Sequence, residues 1–184
     1  MIPQRWLIVC SAMCSGGLLW SAVLIAGLVV GVRPVPTAAA VAVAAVLTVP
    51  GVIAGVIGNR WYYRTTRPRS PWSLTSWVPP HVPHWASMLA GVLFFAFWLA
   101  VVVAFAGLDG TTELRDGRYV LTDNGRTTVV TESDHSHQEN LQQQISLGVL
   151  GAVAVGATFM TGAVLTHHAA PQPTETQSAG RPLA

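Results

Sequence analysis

Residues 82–108 read VPHWASMLAGVLFFAFWLAVVVAFAGL, a run of apolar side chains without a single Asp, Glu, Lys or Arg. A helix needs about 20 such residues to cross a hydrocarbon core of about 30 Å, so this stretch predicts a membrane-spanning helix. Three more runs share the property: Trp6 to Val32, Val35 to Gly58 and Ile145 to Thr166. Membrane β-barrels show shorter, alternating segments instead. The expected fold is therefore an all-α membrane protein, a four-transmembrane-helix bundle.

Composition agrees. Of the 184 residues, 51% are hydrophobic and only 10% charged, whereas soluble domains carry about a quarter charged residues. The mean hydropathy is +0.47. Every basic residue is Arg and none is Lys, which with the abundance of Ala, Val and Gly points to a high-GC bacterial genome. A net charge of +2 is too small to imply a nucleic-acid partner. Cys10 and Cys14 both lie in the first apolar run, so they do not suggest a disulfide framework and are expected to be structural. The first run is longer than the apolar core of a signal peptide, which predicts an uncleaved helix.

Charge asymmetry predicts orientation. The connection 59–85 carries Arg60, Arg64, Arg67 and Arg69 and no acid. The segment after the third span carries Arg115, Arg118 and Arg126 against seven acids: Asp109, Glu113, Asp116, Asp123, Glu132, Asp134 and Glu139. Arginine-rich connections stay on the cytoplasmic side, so 59–85 is expected inside, the acidic segment outside, and both termini in the cytoplasm of a bacterial plasma membrane. Arg33, in the short outer turn between the first two spans, is the one dissenter.

This gives spans one and two over 1–58, a cytoplasmic interfacial connection over 59–85 and a third span over 86–108. An outer β segment over 109–136, an extended fourth helix over 137–167 and a disordered cytoplasmic tail over 168–184 follow. In 59–85 the four arginines mix with Trp61, Trp72, Trp77 and Trp85, the composition of a segment lying on lipid headgroups. Small residues at helical spacing predict close helix packing: Gly27 and Gly31, Gly51 and Gly55, Ala96 and Ala100, and Gly148, Ala152 and Gly156. Phe94, Phe95, Phe97 and Trp98 are expected on the opposite, lipid- or partner-facing side of the third span.

The outer segment holds the most local information. Arg118 to Thr122 and Arg126 to Thr131 are β-rich and flank Asp123-Asn124-Gly125, a tight-turn signal, so a hairpin is expected. Asp116-Gly117 marks a further turn, leaving room for a third short strand over Thr111 to Leu114. Ser136-His137-Gln138-Glu139 has the form of a capping box and predicts that the fourth helix starts near His137. A lone hairpin is marginal in water. Tyr119, Leu121, Asn124, Val129 and Leu141 are accordingly the expected partner-binding residues, with the helix extension or bundle top as competing surfaces. His135 and His137 are weak candidates for a metal, and no cofactor is implied.

The stretch Gly117-Arg118-Tyr119-Val120-Leu121-Thr122-Asp123-Asn124-Gly125 resembles a Gly-basic-Tyr-x-Leu…Gly hairpin found in small multi-pass bacterial membrane proteins of unknown function, where it also precedes the last membrane helix. The acidic-aromatic stretch and Arg that often follow are replaced here by Asp134-His135-Ser136-His137 and a Gln run. The resemblance implies the hairpin and carries no activity.

The spans lack the ionisable residues that coupled transporters place within the membrane. Phosphate-binding loops, Gly-x-Ser-x-Gly and His-Glu-x-x-His are missing as well. The expectation is a non-catalytic interaction protein, an accessory subunit or immunity-type partner of a membrane or envelope complex. An oligomeric pore for small solutes is the alternative. An enzyme using the outer His/Asp/Glu cluster ranks third.

Overall fold

The computed structural model describes residues 3–65, 82–115, 117–123 and 126–169. The chain runs α1 (Gln4–Val29), α2 (Thr37–Thr65), α3 (His84–Ala106), β1 (Thr111–Arg115), β2 (Arg118–Asp123), β3 (Arg126–Val129) and α4 (Glu132–Ala169). All four helices are long and apolar enough to cross a membrane. The strands form one antiparallel sheet in the order β1-β2-β3, so the segment after α3 is a three-stranded meander rather than a bare hairpin.

Local sequence sets the helix ends. Pro3 and Pro83 stand at the N-caps of α1 and α3, where a residue without an N–H removes nothing from the helix ladder. Gly31 ends α1 with a φ of +84°, a left-handed conformation suited to glycine. Around it Gly31 N–H donates to Leu28 O at 3.0 Å and Val32 N–H to Gly27 O at 2.9 Å, the bond pattern of a Schellman stop. Gly31 is thus a helix terminator rather than a packing residue, and nothing lies within 4 Å of where its Cβ would be. Pro50 falls near the middle of α2, and the helix runs through it unbroken.

α4 is the hub of the bundle. It packs along α1, α2 and α3, while α3 packs along α4 alone among the described helices. The consequence is visible in burial: more than half of the apolar window of α4 is enclosed, against 17% for α3. Toward the sheet end, Leu24, Leu28, Ala40, Ala44 and Leu147 form one core. Leu7, Cys10, Ala54 and Val164 form another at the opposite end. Between α1, α3 and α4 a largely apolar groove of about 450 Å³ stays open, lined among others by Leu18, Leu89, Leu93 and Phe159.

Glycines allow the closest approaches, though not all where small-residue spacing places them. A Cβ on Gly51 would fall on the Cys14 thiol, and one on Gly55 would sit 3.2 Å from Met160 Cβ. Gly148 faces Val101, and Ala152 is buried. Gly27 meets only the turn just after its own helix, at Val32 O and Pro34 Cδ, while Gly156 faces open space. On α3 the expected stripe is shifted. Ala96 is exposed, Ala100 is half-buried, and Phe97 is 6% exposed with its ring where a Cβ of Gly151 would stand. A flat ring fills the notch that a missing side chain leaves on α4, and that contact outweighs small-on-small packing. Phe94, Phe95 and Trp98 do face outward.

Candidate functional site: the sheet–helix junction

The polar chemistry gathers where the sheet meets the first turns of α4. That helix begins at Glu132, earlier than Ser136-x-x-Glu139 predicts, because Thr131 and Asp134 form the cap instead. Thr131 Oγ1 accepts from the Asp134 N–H at 3.2 Å, and Asp134 Oδ2 accepts from the Thr131 N–H at 3.3 Å and its hydroxyl at 2.7 Å. Ser136 lies within the helix, where its hydroxyl donates to Glu132 O at 2.7 Å. At 38 residues, α4 is about 57 Å long and outreaches a bilayer core by several turns.

The Thr131 hydroxyl, then its backbone N–H, hold the Asp134 carboxyl below its ordinary value, with His137 adding a smaller pull in the same direction. A lowered folded pKa means that the cap's contribution is present above the ordinary carboxylate range and is lost as pH falls through the lower folded value. Thr131→Ala is expected to destabilise the start of α4 by about 1 kcal/mol and to remove most of this acid limb. Amide exchange of residues 132–136 at neutral and strongly acid pH checks both.

Register sorts the sheet's side chains. Thr112 pairs with Leu121 and Leu114 with Tyr119, which places these four on one face. That face turns toward α4: the Tyr119 ring stacks on His135 with centroids 4.3 Å apart, and His135 Nδ1 lies 2.8 Å from Thr112 Oγ1. The other face carries the rows Glu113-Val120-Val129 and Thr111-Thr122-Thr127, with Arg115 beside Arg118. Every residue of β3 is exposed, and among the described elements β3 meets only β2.

A chain of contacts continues down α4 into the bundle. His135 Nε2 is 3.9 Å from Glu139 Oε1, and the other oxygen of Glu139 forms an ion pair with Arg33. Arg33 Nη2 donates to Thr37 Oγ1 at 3.0 Å. The Thr37 hydroxyl donates in turn to Gln143 Oε1 at 3.3 Å, and Gln143 Nε2 donates to Val35 O at 3.4 Å. Gln143 is fully buried, and this bonding satisfies both ends of its amide. Gln138, also buried, accepts from the Asp109 N–H at 3.3 Å, and Gln144 Nε2 donates to Ala100 O at 3.2 Å. The glutamines thus fasten α4 to the α1–α2 turn and to the end of α3.

Sequence reading missed Arg33, Thr37, Gln138 and Gln143 as a set. Its one clue was Arg33, the cation that an orientation read from arginine placement leaves unexplained. Of the expected partner residues, Tyr119 and Leu121 face α4, and Leu141 packs at Gly107, with Leu141 Cδ1 3.3 Å from a Cβ placed there. Val129 alone points outward, at 62% exposure. Asn124 lies outside the described residues. His135 and His137 stand two apart on a helix, a spacing that sends side chains to different sides. No three His, Cys, Asp or Glu among the described residues converge as metal ligands. His137 lines a cleft of about 280 Å³ with Asp109, Thr112, Leu121, Val130, Asp134 and Gln138. Of the expected lipid anchors, Arg60 and Trp85 are exposed. Trp61 and Arg64 belong to the last turns of α2, and Arg67, Arg69, Trp72 and Trp77 lie outside the described residues.

Compared with known protein families, with curated proteins and with solved structures, the chain matches none.

Proposed function

We propose that the chain is a non-catalytic interaction protein of a bacterial plasma membrane, an accessory subunit or immunity-type partner that presents its sheet to another protein outside the cell membrane. The observation that carries this reading is the division of the sheet. One face meets α4 through Tyr119, Thr112 and Leu121, while Val129 stands on the other and β3, at the sheet edge, is exposed along its whole length. A strand exposed along its length offers unpaired backbone groups to a further strand, a common mode of protein recognition.

The orientation rests on arginine placement, which puts 59–85 inside and the sheet outside. The ion pair to Glu139 supports it, because it gives the dissenting Arg33 a counter-charge at the sheet end. The alternative reading is an oligomeric pore for small solutes, which would run between copies of the chain because α4 packs along the other three helices of each bundle. A photo-crosslinking residue at Val129 or Thr127, in intact cells, is expected to trap a protein adduct, whereas one at Thr112 is not. Absence of adducts at both outward positions, in cells where the protein is active, would refute the docking role.

A further inference from the structure

The groove between α1, α3 and α4 has the dimensions of one leaflet. Along α4 its lining runs from Val155 to Thr166, about 17 Å of helix axis. That is close to half of a hydrocarbon core about 30 Å thick. Its deep end is closed by a small core of Phe97, Ala152 and Val155, on which Leu18 and Ile25 of α1 and Leu93 of α3 pack. Leu18 stands near the middle of α1, so the closed end lies at mid-bilayer depth. The other end opens where α3 begins and α4 finishes, beside the exposed Trp85, a residue type suited to the headgroup level.

The chemistry of the walls and of the mouth differs. Besides Trp85, only Thr158 and Thr166 among the described residues bring polar side-chain atoms to the lining. The Thr166 hydroxyl donates to Ala163 O at 2.9 Å, and the Thr158 hydroxyl oxygen has no exposed surface, so an occupant meets an apolar wall. The mouth lies at the end of the bundle that carries Arg5 at the start of α1 and Arg60 and Arg64 in the last turns of α2. Every Asp and Glu among the described residues belongs to the opposite end, within 109–139.

We infer that this groove holds one acyl chain of an anionic phospholipid, with the phosphate at the arginine-bearing end. Spread over 17 Å, a volume of about 450 Å³ gives a section only about 6 Å across, which suits a single polymethylene chain and not a helix about 10 Å wide. Lipid tails provide no hydrophobic drive into such a groove, so what retains the chain is fit and charge. The fit matters because α3 packs along α4 alone, and an unfilled gap toward α1 would forfeit the dispersion contacts of both walls. The inference rests on the chain crossing a bilayer, as proposed above, but not on what the sheet binds or which side faces the cell interior.

The test is native mass spectrometry of the full chain, released from detergent after incubation with equal amounts of phosphatidylglycerol and phosphatidylcholine. One phosphatidylglycerol is expected to stay bound, favoured about fivefold over phosphatidylcholine, the effect of one arginine near an anionic surface. Gly162→Phe fills the groove without a clash, since nothing lies within 4 Å of a Cβ there, and is expected to weaken retention about tenfold. Gly156→Phe, equally unobstructed and outside the lining, is expected to keep the lipid. Equal retention of the two lipids, undiminished retention in Gly162→Phe, or a lipid-free dimer overturns the inference. If circular dichroism shows Gly162→Phe unfolded, Ala86→Phe on the facing wall takes its place with the same expectations. Folded protein recovered without detergent would overturn the membrane reading as well, whereas detergent-dependent protein that holds no lipid overturns this inference alone.

Discussion

Gly51→Leu is expected to break the α1–α2 contact at a cost of about 3 kcal/mol or more, the upper part of the range for overfilled interiors. The first atom of any side chain at this position would stand on the Cys14 sulfur, 3.1 Å from Cys10 O and 3.3 Å from Cys14 Cβ. None of these is the free end of a flexible chain. The sulfur belongs to a short, fully buried side chain whose thiol points to Thr48 O at 3.5 Å, and Cys10 O is backbone. Lipid supplies no hydrophobic drive to push separated helices together again, so loss of the close approach is not offset elsewhere. Gly156→Leu is the matched control, since nothing lies within 4 Å of its Cβ position. Titration of both variants with a denaturing detergent, followed by circular dichroism, should show early loss of structure for Gly51→Leu only. Equal midpoints would mean that the Cys14–Gly51 contact carries no stability.

The four long apolar helices are the part of this fold that sequence expresses most directly, because a helix-length run without charge is a condition on composition alone. Which helix touches which is a different kind of information. Spacing singles out Ala96 and Ala100 on α3 as small, and Gly148, Ala152 and Gly156 on α4 likewise, but it cannot say that Phe97 enters the gap at Gly151. That pairing depends on the crossing of two helices whose partners are equally apolar on every side. The start of α4 failed for a local reason. Thr131-x-x-Asp134 and Ser136-x-x-Glu139 both have the form of a cap, and the earlier one prevails because β3 delivers the chain directly to Thr131. The sheet was legible in its turns, where Gly117 takes a φ of +77°, but not in its two faces. Only the stacking of Tyr119 on His135, and the cleft that Leu121 lines with residues of α4, distinguish these two from Val129. The candidate site is the least legible element: Arg33 and Glu139 stand 106 residues apart, and nothing local to either announces the other.

That pair supports the second large effect. Arg33→Glu places a carboxylate against Glu139 and leaves Thr37 without its guanidinium donor, and about 2 kcal/mol of destabilisation at the sheet end is expected. The figure is kept modest because the side chains of Arg33 and Glu139 are 28% and 36% exposed, and water screens what a buried pair would feel in full. The reversed double variant, Arg33→Glu with Glu139→Arg, restores opposite charges and is expected to recover about half of the loss. Recovery is partial because the new arginine on α4 would stand beside His135 with no carboxylate between them, and the new carboxylate cannot donate to Thr37. Gln143 bonds Val35 O independently of Arg33, so the deeper part of the chain should survive both variants. Exchange in the first three turns of α4 would then change while exchange around Gln143 would not. The alternative, that Arg33 and Glu139 meet at the surface without consequence, requires the single and double variants to be equally stable. With Glu139→Arg alone completing the cycle, the departure of the double variant from the sum of the two singles measures the coupling, and a favourable departure would mean that Arg33 is held where it is by a partner on the helix that packs along the other three.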